Sequence, residues 1–159
     1  SEFSIKMLVI LSFLGGGYVG FGYLACLRVI SGIPAEWNGL AALLGASVFP
    51  IALICILIGG GELATGNMMI MALGRLTGRV STYKLVRNWL IVSLGNLAGA
   101  VAMAYFLGHY VGLAEGAAAA KTIAIAEAKV NMDWCAWVFG SISAHAILQA
   151  VFWQLGFRS

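Results

Sequence analysis

Between two apolar runs, Leu40 to Ile58 and Met68 to Leu73, the chain places Gly59-Gly60-Gly61-Glu62-Leu63-Ala64-Thr65-Gly66-Asn67, a carboxylate among glycines where a membrane span should continue. A lipid-facing helix cannot be interrupted in this way, because hydrocarbon offers no partner to the freed N–H and C=O groups. The break is therefore expected to be buried in protein or to line a polar cavity, and an ionisable residue at such a break marks a functional site. Residues Glu62 to Asn67 are expected to leave helical geometry, with Gly60, Gly61 and Gly66 relieving the backbone and a half-helix resuming at Gly66.

The membrane setting rests on composition: 62% of residues are hydrophobic and only 9% charged, against about 25% charged in soluble domains. With about 20 apolar residues needed per crossing, four spans are expected, at residues 7–33, 39–73 (broken near 59–67), 89–113 and 134–157. They form a single transmembrane domain, 1–159, with no separate soluble part and the first span retained. Arg75, Arg79, Lys84 and Arg87 are expected in one short loop between the second and third spans, a stretch that holds no acid, whereas the stretch from Glu115 to Asp133 mixes both signs. The positive-inside bias puts the first of these stretches, and with it both termini, on the cytoplasmic side of the inner (cytoplasmic) membrane. Trp37, Trp89 and Trp134 mark span ends as interfacial anchors. The net charge of +3 is thus a topology signal, with no nucleic-acid partner implied.

Cys26, Cys55 and Cys135 are widely spaced without a histidine at ligand spacing, so they read as small buried hydrophobes, and no metal site is expected. No nucleotide loop, dinucleotide fingerprint or Ser/His/Asp grouping is present, so neither an enzyme nor a cofactor is expected. Gly16 and Gly20, and Gly95 and Gly99, have the small-x-x-x-small spacing that lets helix backbones approach closely in lipid. Whether that contact lies within or between subunits is left open by spacing alone. Pro50 should bend the second span. Glu115 to Ala128 reads as a short outer helix or re-entrant piece.

Gly60 to Asn67, Arg87-Asn88-Trp89 with Gly95-Asn96-Leu97-x-Gly99, and Lys129 with Ile142-x-Ala144 and Trp153 together resemble the formate/nitrite transporter family over nearly the whole chain. The resemblance implies an all-α integral membrane fold, an aquaporin-like inverted-repeat helical bundle with a broken second span. It also implies a pentamer with one pore per subunit, passing small monovalent anions such as formate, nitrite or hydrosulfide. The family has six spans, so four imply either a fragment lacking two C-terminal spans or an incomplete pore. His145 replaces the family's asparagine, and Ala64 its common aromatic residue.

Site residues follow from both lines of reading. An unpaired Glu62 in apolar surroundings would be neutralised, and facing the path it would repel an anion, so it is expected to anchor the break. Its expected partner is Lys6, a pairing the family pattern also implies, with Gly61 and Gly66 as structural neighbours. The Thr65 hydroxyl could donate to an anion beside a helix N-terminus, or cap that helix; the resemblance favours pore lining. Phe49 and Leu53 share a helical face, which by default is core or lipid-facing and in the family forms a constriction. Lys129 reads as an outer loop lysine that the resemblance places near the pore. Leu63, Asn67 and His145 complete the expected path, although a mid-span histidine alone reads more simply as packing. The reading is a channel or channel-like transporter for small monovalent anions, acting without cofactor. Its rivals are an aquaporin-like neutral-solute conduit and a non-conducting membrane subunit.

Overall fold

Helices account for all the regular structure among the described residues, 4–136 and 138, of the computed structural model. The first, α1 (Ile5–Ser31), opens where the Ser4 hydroxyl accepts from Met7 N–H, capping a donor the helix cannot satisfy itself. A short 3-10 turn (Ala35–Trp37) leads into α2 (Asn38–Val48) and then α3 (Ile51–Gly59). Pro50 separates the last two because its ring nitrogen has no N–H to donate. The chain stays nearly helical across the joint through Phe49 N–H to Gly45 O (3.0 Å) and Ile54 N–H to Pro50 O (3.0 Å). Ala35–Gly59 therefore remains one stretch long and apolar enough to cross a membrane, as are Ile5–Ser31 and Thr82–Tyr110. The expected fourth span, 134–157, lies outside the described residues except for its first few.

Beyond α3 come α4 (Ala64–Leu76), α5 (Thr82–Met103) continued by a π-helical segment (Ala104–Tyr110), and α6 (Ala117–Val130). Two corrections to the sequence reading arise here. The basic residues expected in one loop are spread over three elements: Arg75 closes α4, Arg79 lies in the turn, and Lys84 and Arg87 ride the first turns of α5. The reason is local, since Ser81 Oγ accepts from Lys84 N–H and starts α5 at once. Lys129 is not in a loop either, for it belongs to the last turn of α6.

Residues 1–122 and 123–159 form two separate compact units. Within the first, α1 is central and packs against α2, α3 and α5, while α4 packs on α5. Glycine makes the α1–α5 contact possible: a Cβ at Gly16 would overlap the Asn96 backbone, one at Gly95 the Ser12 side chain, and one at Gly99 the Phe13 carbonyl. The small-residue spacing thus serves a contact within one chain. Leu8, Ser12, Leu24, Leu27 and Val92 are buried along these seams. Most other apolar side chains of the helices face outward, as lipid requires.

Candidate functional site

Gly60, at φ +77°, ends α3 in the left-handed region that favours glycine, and both its own N–H and that of Gly61 return to Ile56 O (2.9 and 3.1 Å). The chain then runs extended through Leu63, and α4 begins at Ala64. Gly61 is here for close approach, since a Cβ on it would sit 2.9 Å from Gly15 Cα, and a Cβ on Gly15 would strike the Glu62 carbonyl. Two backbones touch at this point, which fixes the break against α1.

Asn96 of α5 holds the broken segment. Its Nδ2 donates to Ser12 O (2.7 Å) and to Glu62 O (2.8 Å), while its Oδ1 accepts from Ala64 N–H (2.9 Å). Glu62 N–H donates to Leu11 O (3.0 Å). One side chain therefore ties α1, the break and the start of α4 together, supplying in protein the partners that lipid lacks. This also explains why the half-helix resumes at Ala64 and not, as expected, at Gly66. Leu63 occupies the cap position and its apolar side chain caps nothing, so the capping acceptor comes from α5. Ala64 to Asn67 are helical, and Gly66 lies in the first turn with open space where a Cβ would point. Gly66 relieves no strain.

The Glu62 carboxylate accepts from Asn67 Nδ2, which also reaches Leu63 O (3.2 Å). Among the described residues no ion pair joins Glu62 to Lys6, which is exposed in the first turn of α1; the expected pairing is replaced by one with Asn67. The buried Asn67 amide lies one helical turn beyond the break and meets the carboxylate at close range, while Lys6 lies exposed in the first turn of α1.

Thr65 is the second residue of α4 and exposed, so it is no N-cap. Among the described residues neither its hydroxyl nor the backbone N–H groups of Thr65 and Gly66 have a hydrogen-bond partner. Phe49 lies at the α2–α3 joint and Leu53 in α3, both half-buried. Lys129 is exposed in the second unit, where it lines a shallow cleft with Val130, Met132 and Trp134. His145 falls outside the described residues. Asn96 is the residue that reading the sequence for charge passed over; the available signal was a lone amide in an apolar span, which must find partners.

A multispanning helical protein with a broken span held from within is the class these features define. The formate/nitrite transporter profile matches residues 1–157. The chain is 42% identical over 150 residues to the uncharacterised transporter YrhG of Bacillus subtilis, covering 94% of this chain and 56% of that protein. It is 33% identical over 150 residues to the formate channel BtFdhC of Bacillus thuringiensis, covering 94% and 58%. Over 108 residues it is 43% identical to a probable formate transporter of Methanothermobacter thermautotrophicus, covering 67% and 39%. This chain belongs to the formate/nitrite transporter family. It spans a little over half the length of the two Bacillus relatives. No solved structure matches it.

Proposed function

We infer that the protein carrying this chain is a channel or channel-like transporter for small monovalent anions, formate first among them, in the cytoplasmic membrane with both termini cytoplasmic. Support for formate comes from the relative named as a formate channel, and nitrite and hydrosulfide are the neighbouring candidates. The observation that carries the reading is the head of α4, where Asn96 satisfies the Ala64 amide and leaves those of Thr65 and Gly66 free. Free N–H groups and the positive end of the helix dipole favour an anion there, and the Thr65 hydroxyl adds a third donor. Phe49 and Leu53 supply a dry constriction that makes a bare charge costly, so the ion crosses partly desolvated or as its conjugate acid. Leu63 is a further proposed path residue. For Lys129, as a charge that attracts anions, and for His145 the proposal rests on the family resemblance alone. Glu62 and Asn67 anchor the break. A pentamer with one pore per subunit is the assembly this reading carries.

The test is flux through liposomes containing the full-length protein. Formate should pass at least tenfold faster than glycerol of comparable concentration. Glycerol moving as fast as formate would mark a neutral-solute conduit, and no flux of either a non-conducting subunit.

A further inference from the structure

We propose that the cleft between α1, α4 and α5 beside the Arg79 turn binds the phosphate of an anionic phospholipid. The cleft encloses about 400 Å³. Arg79, Lys84, Arg87 and Asn88 supply its polar lining, and Leu8, Ile70 and Val80 much of its apolar wall. Arg87 Nε and Asn88 Oδ1, a donor and an acceptor on consecutive residues of α5, are buried without a hydrogen-bond partner among the described residues. Buried polar groups are rarely left so, and a phosphate with a hydroxylated headgroup would meet both, the phosphate oxygen taking the guanidinium N–H and a hydroxyl donating to the amide oxygen. The Arg87 guanidinium also lies 5.9 Å from the Tyr83 ring centroid, which holds it in place.

Glu62 and Asn67 line the same cleft, so its charge is mixed. Glu62 precedes α4 and Arg79 follows it, so the thirteen residues of that helix lie between them, about 20 Å at 1.5 Å per residue, and Asn67 is uncharged. The Glu62 carboxylate already accepts a hydrogen bond from Asn67, and Arg79, Lys84 and Arg87 line the cleft with it, so the single carboxylate does not cancel the cationic lining. It does oppose a small anion moving deeper. Beside the mouth, Ile70, Leu73 and Leu76 are strongly exposed on α4 and offer an acyl chain an apolar track. A lipid uses both halves of this surface, whereas a dissolved anion uses only the cationic half.

The experiment measures lipid affinity of the detergent-purified full-length protein by native mass spectrometry at matched charge state, with thermal unfolding as a second readout. Phosphatidylglycerol should bind at least fivefold tighter than phosphatidylcholine. R79Q/R87Q should weaken phosphatidylglycerol at least fivefold, since a basic residue near an anionic headgroup contributes about that factor, and should leave phosphatidylcholine unchanged. Should the double variant not fold, R79Q alone, at an exposed turn, should show the fivefold loss and R79K should restore it. Equal affinities for the two lipids, or an R79Q preference equal to wild type, would overturn the proposal. Inorganic phosphate reproducing the whole thermal shift would overturn it in favour of a free anion.

Discussion

Asn96 and Glu62 divide the labour at the break differently from what charge alone implies. The amide bridges three backbone groups on two other segments, and the carboxylate leans on a neutral partner. Asn96→Ala would strand the Ala64 N–H and the Glu62 carbonyl in a setting without water. A buried unsatisfied group costs about 1–3 kcal/mol, so the variant should lose at least about 2 kcal/mol in reversible unfolding in mixed micelles. An unchanged unfolding midpoint would mean water enters the break. Lys6→Ala should shift stability by no more than about 0.5 kcal/mol, the usual range for exposed positions. Asn67→Ala should cost more than about 1 kcal/mol by releasing the Glu62 carboxylate. The opposite order would restore the Lys6 pairing.

Among the elements, α1 and α5 depend on glycine for their contact. Gly99→Ala drives a methyl group into the Phe13 carbonyl, a backbone atom that cannot swing aside as a side chain can. It should lower the yield of folded protein severalfold on size-exclusion chromatography, while Gly39→Ala, facing open space, should not. Equal yields would mean that α1 and α5 do not pack as described. The span-length helices and the interruption at Gly60 and Gly61 were legible in the sequence, because apolar length and glycine-rich breaks act locally. The restart at Ala64 was not, since its cap is supplied by Asn96, 32 residues further on. The partner of Glu62 was not legible: opposite charge pointed to Lys6, whereas the fold brings Asn67 to the carboxylate. The basic stretch misled about loops because charge reports which side of a membrane a residue lies on, and not whether its backbone is helical.

For the whole molecule, membership of the formate/nitrite transporter family and a broken span with free amides at its restart support the proposal that the head of α4 meets the permeant anion. Thr65→Val tests it, since the substitution keeps shape and leaves the Asn96 clamp untouched. Loss of a hydrogen bond to a charged acceptor is about 1.5–3 kcal/mol, or roughly tenfold to a hundredfold in a rate that the bond controls. The decisive measurement is formate flux into proteoliposomes carrying equal amounts of correctly assembled wild-type and Thr65→Val full-length protein. A drop of about tenfold or more is predicted; unchanged flux would contradict the account and leave Thr65 as an exposed residue in the first turn of a helix.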